Sequence, residues 1–425
     1  MTTEPESLDT DSIAELKPIF AAAGHPWWLH LNHMNMPDVA AAFTERAPIG
    51  VHAVTLGECW SVGEEPASLR ALALCPGLHT LAFIWCDLSA AALTALAGLE
   101  LPALTALTIA DGMQSGDLRA LAGAAWWRDL RLLCLEGTAL AAEDVDALLG
   151  HDIPTLRDLT LDVLDVGPVL YGPQMAHLEC LRLTATSPAG LARFDRPVAA
   201  PALTELMLHA VSPIPMAPLV ASELPHLRCL ALGQATALGT PGSCRVGDDG
   251  AALIAKTWPQ LKALHLHDAG IGPGGARAIG ERLTGPETLV LSFNPLGAAG
   301  ARALAPCLGQ VKRLLIHHCQ LDGDAMAALR PYLGQLEELH IRGNPIGPDG
   351  ARILVETPMP ALERLWMSGC DVGPEGYALL TSCERFAQLG FFEPPARDQG
   401  RPVGGPSGDP SWLTRMLRRF IGKGR

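Results

Sequence analysis

The chain has few aromatic residues, few lysines and no long apolar run. Aromatic residues make up 5% of its 425 residues, although hydrophobic residues make up 48%. Leucine and alanine must therefore fill the interior. No run reaches the roughly 18 apolar residues that a membrane-spanning helix needs, so we expect no transmembrane segment. Arginine outnumbers lysine 26 to 5, and with abundant alanine, glycine and proline this bias indicates GC-rich coding and a bacterial source.

The sequence also has no excess of basic residues over acidic ones. The formal net charge is −14 at pH 7, whereas a general nucleic-acid binder shows a basic stripe that contacts phosphates. We therefore expect no nucleic-acid partner. The N-terminal segment, Met1-Thr-Thr-Glu-Pro-Glu-Ser7, is acidic and lacks the basic and apolar regions of a signal peptide. We expect a cytoplasmic protein.

Signatures of catalysis are absent from the sequence, which has no Gly-x-Ser-x-Gly elbow, no His-Glu-x-x-His motif and no P-loop. The segment Gly270–Gly275 matches the Gly-x-Gly-x-x-Gly pattern that binds dinucleotide phosphates at a helix N-terminus. We interpret it as a turn, because glycine pairs recur at the same place in other units, at Gly297–Gly300, Gly347–Gly350 and Gly373–Gly376. We therefore predict no enzymatic activity, no catalytic residue and no cofactor.

A repeated pattern organises most of the chain. From residue 51 onward, Leu-x-x-Leu-x-Leu returns about every 25 residues, with other apolar residues in place of some leucines. A fixed period of this length predicts a solenoid, in which each unit buries its apolar face only against its neighbours. The units begin near Val51, Leu78, Leu104, Leu130, Leu156, Leu178, Leu203, Leu227, Leu261, Pro286, Val311, Leu336, Leu362 and Phe386.

Later units continue after the strand with Ala-rich segments in which apolar residues recur at helical spacing, at 275–283, 300–305 and 350–354. Strand followed by helix predicts an α/β solenoid of about 14 repeats. A curved parallel sheet would form its concave face, and short helices and irregular coils its convex face. Between 156 and 250 the spacing is irregular and prolines cluster, so the connections there cannot all be full helices.

One position, eight residues after the start of a unit, is held by small polar side chains. It is occupied by Cys59, Cys86, Cys319 and Cys370, and in other units by Asn294 and Asn344. A side chain at this turn points inward and can donate to backbone carbonyls of the neighbouring unit. We therefore predict buried, reduced thiols rather than a disulfide framework, which fits a cytosolic compartment.

The segment from Leu336 to Ala351 reads Leu-x-x-Leu-x-Ile-x-x-Asn-x-Ile-Gly-x-x-Gly-Ala. It resembles the leucine-rich repeats of the ribonuclease-inhibitor type, and similar units occur in GTPase-activating proteins of the Ran system and in bacterial proteins. The resemblance covers about residues 51–392 and is most specific over 261–380. It implies a scaffold that binds a protein partner, and it does not identify that partner.

Strand positions that the repeat leaves free define a candidate binding surface. Residues two, four and six places after each start should face the concave side, because strand side chains alternate. These positions are acidic in the fourth and fifth units, at Glu136, Asp158 and Asp162, and rich in histidine and arginine later. The candidate partner-binding residues are His265, His267, Arg313, His317, Glu338, His340, Arg342, Arg364 and Trp366.

Three interpretations of these later positions remain open. They can form a solvated polar face with no partner. They can bind a protein through Trp366 and the arginines, residue types that are enriched at interface hot spots. They can hold a metal ion for a metal-dependent sensor or hydrolase, with His317 and His340 on adjacent strands and Glu338 as a third ligand. Their spacing matches no compact metal motif, and we favour protein binding.

The domain boundaries follow from the ends of the repeat array. We predict a disordered start and a capping helix over 1–24, the solenoid over 25–393, a Pro/Gly-rich linker over 394–410 and a basic amphipathic helix over 411–425. The tail residues expected to make contacts are Trp412, Leu413, Arg415, Leu417, Arg418, Arg419 and Phe420.

The tail supports an alternative function. It carries five basic and no acidic residues, and basic amphipathic helices bind membrane surfaces or grooves on partners. The chain could thus be a peripheral adaptor with weak, reversible membrane contact. The tail could equally fold back on the acidic body or stay disordered.

Overall fold

In a computed structural model, the chain forms one sheet of parallel strands joined by helices and turns. The structure describes residues 6–12, 14–16, 27–46, 48, 50–60, 62–111, 118–234, 245–389 and 391–393. Within these ranges, sixteen strands follow one another across the sheet in chain order. They are β1 Glu6–Thr10, β2 Trp27–Asn32, β3 Val51–Gly57, β4 Thr80–Ile84, β5 Ala106–Ala110, β6 Leu132–Leu140, β7 Asp158–Val163, β8 Cys180–Ala185, β9 Glu205–Ala210, β10 Cys229–Gln234, β11 Ala263–His267, β12 Thr288–Val290, β13 Arg313–Leu315, β14 Glu338–His340, β15 Arg364–Trp366 and β16 Phe391–Glu393.

The register of the sheet repeats with the sequence. Thr288 pairs with Arg313, Arg313 with Glu338, and Glu338 with Arg364. Each of these residues lies two places after the start of its own unit, so residues at equivalent repeat positions are paired. The same offset holds from β4 through β15. The predicted parallel sheet is therefore confirmed.

Helices connect the strands on the convex side, and their length follows the local sequence. The α-helices of the described ranges are Met36–Glu45, Ala90–Ala97, Ala142–Leu149, Gly167–Leu170, Met216–Val220, Gly247–Thr257, Pro273–Arg282, Gly297–Leu304, Gly323–Leu329, Gly347–Glu356, Gly373–Thr381 and Glu384–Ala387. The 3₁₀ helices are Pro66–Leu74, Leu118–Gly123, Trp127–Asp129, Pro173–Ala176, Ala305–Gln310 and Arg330–Gln335. Between 156 and 250 the α-helices Gly167–Leu170 and Met216–Val220 have only four and five residues, and each contains a proline, as expected for connections that cannot all be full helices.

The apolar repeat positions form the core. Leu261, Leu264 and Leu266, at the start of one unit and three and five places later, are fully buried. Burial of each such side chain contributes roughly 1.5–3 kcal/mol to the free energy of folding, compared with the same side chain left exposed. The equivalent residues of the other units join them in a hydrophobic cluster that runs from Leu16 to Phe386. The fold is a leucine-rich-repeat solenoid of the predicted α/β class.

The cysteines at the eighth position make the predicted contacts. The Sγ atoms of Cys59 and Cys86 each donate to a carbonyl of the preceding unit, Leu31 and Leu56 respectively, at 3.2 Å. Cys319 and Cys370 do the same at 3.1 Å. All cysteines of the described ranges are free thiols. The prediction that the cysteines at this position are buried and hydrogen-bond to the neighbouring unit is confirmed.

The N-terminal prediction needs a correction. Residues 6–10 are not disordered: they form β1, which pairs in parallel with β2, and Leu8 lies opposite Leu29. The exposed edge of β2 supplies backbone groups that hold a short strand without a repeat pattern. Residues 14–16 are helical and Leu16 is buried, and the rest of the predicted capping helix lies outside the described residues.

The last unit also differs from its predicted start. Phe386 is a buried residue of the short helix Glu384–Ala387, and β16 begins only at Phe391. A single apolar residue at the expected spacing does not distinguish a strand from a helix. None of the helices in the described ranges has the length and apolar character needed to cross a membrane.

Candidate partner-binding surface

The nine predicted residues lie on one continuous area of the concave face, across β11 to β15 and the residues that follow each strand. Along β11, half-buried and buried side chains alternate, as expected for a sheet with one covered face. The area has three rows, formed by residues two, four and six places after each unit starts. The first row contains Arg313, Glu338 and Arg364, the second His265, His340 and Trp366, and the third His267, His317 and Arg342.

Glu338 organises the C-terminal part of this area. Its Oε1 lies 3.1 Å from His340 Nε2, and its Oε2 lies 3.6 Å from Arg364 Nη2. The carboxylate is almost fully buried, and these contacts offset part of its lost hydration. The His340 ring lies against Trp366, with ring centroids 3.5 Å apart. These contacts place the indole ring of Trp366, which is partly exposed, beside the Glu338–Arg364 ion pair.

A second cluster lies where β11, β12 and β13 end. Phe293 is at its centre, with ring centroids 4.9 Å from His267, 4.9 Å from His317 and 4.6 Å from His318. The Phe293 and His318 rings are nearly parallel, at 19°. Although it makes these contacts, Phe293 is 43% exposed. His267 and His317 are among the residues predicted from the sequence, whereas Phe293 and His318 are not.

Phe293 and His318 were missed because they lie seven places after the start of their units, outside the alternating strand positions. The backbone there is left-handed, with φ of +60° at Phe293, +53° at His318 and +62° at Gly343. Glycine adopts this conformation freely, whereas a bulky residue pays roughly 1–2 kcal/mol. An aromatic residue at a position where other units carry Gly137, Gly343 or Gly369 is the signal that could have found them.

The imidazoles of this second cluster have lowered pKa values. Burial, then the nearby His267, His318, His340 and Arg342, lower the pKa of His317 to about 3. Burial also lowers the pKa values of His267 and His318, although Asp268 opposes the shift at His267. These rings are therefore neutral at pH 7 in a setting that disfavours further positive charge.

The geometry does not support the metal alternative. Across the described ranges, no group of three or more His, Cys, Asp or Glu side chains is placed to hold one metal ion. Glu338 and His340 contact each other, whereas the ring of His317 packs against Phe293. The three residues that were considered as ligands thus belong to two different clusters.

The Gly270–Gly275 motif is a turn with an internal partner. Gly270 has a φ of +70°, and the N–H of Gly272 donates to the Asp248 carboxylate at 2.6 Å. A Cβ atom on Gly274 or Gly275 would collide with Asp248. A carboxylate of the chain itself therefore occupies the helix N-terminus, where a phosphate would have to bind.

The middle of the concave face carries the acidic residues expected there. Arg182, which is not among the residues predicted from the sequence, lies 3.6 Å from Asp158 and 3.3 Å from Glu205. Burial and the neighbouring Asp162 and Asp111 raise the pKa of Glu136 to about 8. Burial raises the pKa of Asp158 to about 6, and Arg182 opposes that shift. The face thus changes from acidic to histidine- and arginine-rich along the solenoid.

The other predicted contact residues belong to the C-terminal tail. The linker 394–410 and the tail residues of 411–425 lie outside the described residues, so their roles stay predictions.

Comparison with known proteins supports the class of fold. The Leucine Rich repeat family model matches residues 287–305 and 336–354, which include β12, β14 and most of the helices that follow them. No curated protein sequence matches the chain.

Solved structures with a similar fold share little sequence with the chain. An internalin from Listeria monocytogenes is 16% identical with a TM-score of 0.44, covering 75% of this chain and 81% of that one. The yeast Rad7–Elc1 complex structure is 13% identical with a TM-score of 0.48, covering 85% and 87%. The TLR13–ssRNA13 complex structure is 17% identical with a TM-score of 0.38, covering 79% and 55%. At these values the likeness carries no inference about function.

Proposed function

We propose that this chain is a protein-interaction scaffold that binds its partner on the concave face between β11 and β15. The observation that carries the proposal is the half-buried Trp366, held against His340 beside the Glu338–Arg364 ion pair. Tryptophan and arginine dominate interface hot spots. Because these side chains are already ordered on a regular sheet, binding would require little further loss of side-chain entropy.

The local charge of this area favours an acidic surface on the partner. Arg313, Arg342 and Arg364 lie on it, and its one predicted carboxylate, Glu338, contacts both Arg364 and His340. Complementary potentials increase association rates and select among partners. The net charge of −14 argues against the phosphate backbone of a nucleic acid as the general target.

We also propose the finer assignments that accompany this function. The Gly-x-x-Gly turns and short helices of the later units fit repeats of the ribonuclease-inhibitor-like type. Free buried thiols fit a reducing, cytoplasmic location. The arginine-rich, lysine-poor composition fits a bacterial source.

The test combines Arg342→Glu with Trp366→Ala in the full chain. A hot-spot residue contributes roughly 2 kcal/mol or more, so the two changes together should weaken capture of a co-purifying partner by about a thousand-fold. The matched control is Arg277→Glu with Leu253→Ala, which makes the same kind of charge reversal and truncation at exposed helix positions.

The circular dichroism spectrum should be unchanged in both variants, since none of the four side chains belongs to the core cluster. Full retention of the partner by Arg342→Glu, Trp366→Ala would refute the proposed site. Equal loss in the control variant would place the interaction on another surface.

A further inference from the structure

Two exposed tryptophans lie at one edge of the sheet, towards the opposite end of the solenoid from β11 to β15. Trp85 directly follows β4 and is 59% exposed, and Trp60 lies three residues beyond the end of β3 and is 54% exposed. Because β3 and β4 are neighbouring parallel strands, the residues that follow them lie at the same edge of the sheet. Single exposed apolar side chains are normal, whereas two large ones on consecutive units suggest an interaction surface.

The repeat determines how Trp85 is presented. Glu58, Trp85 and Asp111 hold the same place in three consecutive units, and each has the left-handed φ that recurs at this place. Their backbone N–H groups donate to carbonyls of the following unit at 2.8, 2.9 and 3.1 Å. The three residues therefore follow one another at the strand spacing of about 4.8 Å. All three side chains are exposed, so the indole of Trp85 has a carboxylate residue on each side.

Basic residues do not balance the negative charge at this end of the solenoid. Residues 27–111 contain eight aspartates and glutamates, no lysine and two arginines. Both arginines lie in helical connections between strands: Arg46 follows the helix Met36–Glu45, and Arg70 is in the 3₁₀ helix Pro66–Leu74. His33 is the residue that contacts Glu58, at 3.3 Å. Complementary charge therefore favours a cationic ligand at this edge.

We propose that Glu58, Trp60, Trp85 and Asp111, here named the tryptophan edge, bind an arginine-bearing segment of a protein partner. A guanidinium stacks on the face of an indole, and its N–H groups donate in pairs to a carboxylate. Trp85 with its two flanking carboxylates offers both contacts to one arginine, and Trp60 adds a second indole on the preceding unit. The ammonium group of lysine has no planar fork with which to make them. The tryptophan edge would thus be a second contact surface, separate from the concave area between β11 and β15.

The basic tail 411–425 is a competing occupant, and its reach argues against it. Twelve strand spacings separate β4 from β16, which is about 58 Å along the sheet at about 4.8 Å each. The predicted linker 394–410 covers that distance only when almost fully extended. A flexible chain of this length averages roughly 20–25 Å between its ends. A segment of another protein fits the tryptophan edge without this stretching.

The experiment measures binding of a fluorescent tetra-arginine peptide to the full chain by anisotropy. It is done at about 0.15 M salt, where long-range attraction to the net charge is largely screened. Trp85→Gly should raise the Kd by about three-fold or more, because the stacking surface is lost. Glycine suits the φ of +53° at this place, as it does at Gly137, so the urea midpoint should stay near that of the unmodified protein. The matched control is Leu253→Ala, which truncates an exposed helix residue and should leave the Kd unchanged.

A second variant removes the flanking charges and keeps the indole. Glu58→Gln with Asp111→Asn should also raise the Kd by about three-fold or more. Its control is Glu143→Gln with Asp146→Asn, which removes the same charge from exposed positions of the helix Ala142–Leu149 and should have a much smaller effect. A tetra-lysine peptide of equal charge should bind the unmodified protein about three-fold more weakly or less.

Equal Kd values for Trp85→Gly and Leu253→Ala, equal effects of the two charge variants, or equal binding of tetra-lysine would overturn the inference. The tail is tested by Arg415→Gln, Arg418→Gln and Arg419→Gln together, with and without Trp85→Gly. We expect the same change in Kd in both backgrounds. A gain in affinity that requires Trp85 would show that the chain's own tail occupies the tryptophan edge, and would overturn the assignment to a partner. None of these changes touches Arg342 or Trp366, so the capture test can succeed while this one fails.

Discussion

Replacement of Asn344 by alanine tests the repeat architecture most sharply. The Asn344 side chain is fully buried. Its Oδ1 accepts from the backbone N–H groups of Cys319 and Leu321 at 2.8 and 3.1 Å. Its Nδ2 donates to the carbonyls of Ile316 and Ile341 at 2.9 and 2.7 Å. One side chain thus makes hydrogen bonds to the turn of the preceding unit and to the turn of its own unit.

The magnitude follows from the groups left without partners. Alanine removes the acceptor from two buried N–H groups, and each unsatisfied buried group costs roughly 1–3 kcal/mol. We expect Asn344→Ala to lower the free energy of unfolding by about 3 kcal/mol. Asn344→Cys should cost only about half as much, because a thiol at this position can still donate to a carbonyl, as Cys319 and Cys370 do.

Urea denaturation followed by circular dichroism at 222 nm measures these differences. A lower midpoint at an unchanged slope reports a loss of stability without a change in the unfolded state. The control is Asn35→Ala, which removes an exposed hydrogen bond to Asp38 and should cost well under about 1 kcal/mol. If Asn344→Ala unfolds at the same midpoint as Asn35→Ala, the reasoning about this position is wrong.

Three other properties can be measured. Leu339→Ala should lower the free energy of unfolding by roughly 2–5 kcal/mol, since Leu339 is fully buried, and the same urea titration would show it. Cys319 should resist iodoacetamide at pH 8 until the protein is unfolded, because burial raises the pKa of its thiol to about 12; peptide mass spectrometry would detect early labelling. The pKa of Glu136 is raised from an ordinary value of 4.5 to about 8, so its contribution to stability is present below pH 4.5 and is lost as pH rises to about 8. The stability of Glu136→Gln relative to the unmodified protein should therefore increase over that interval in urea titrations, and a constant difference would contradict the assignment.

The periodic part of the fold could be predicted because the same residues recur in the same roles. Leu261, Leu264 and Leu266 indicated both the strand and its buried face, and the alternation placed His340 and Trp366 on the other face. The eighth position could be interpreted because cysteine and asparagine alternate there, which indicated a shared inward hydrogen bond.

The sequence did not predict features that depend on pairing or backbone conformation. The β1 strand lacks the repeat pattern, and its pairing with the edge of β2 places it in the sheet. The positive φ values of Phe293 and His318 cannot be inferred from strand alternation, although glycine in equivalent units hints at them. Contacts such as Arg182 with Asp158 and Glu205 require the register between strands as well as their positions.

We propose that the concave area between β11 and β15 binds a protein. Hydroxyl-radical footprinting of the full chain, alone and with its co-purified partner, tests this directly, because it reports on exposed aromatic and aliphatic side chains. Bound partner should reduce oxidation of Trp366 and Phe293 and leave the exposed helix residue Leu253 unchanged. Protection of Leu253 with unchanged oxidation of Trp366 and Phe293 would contradict the claim.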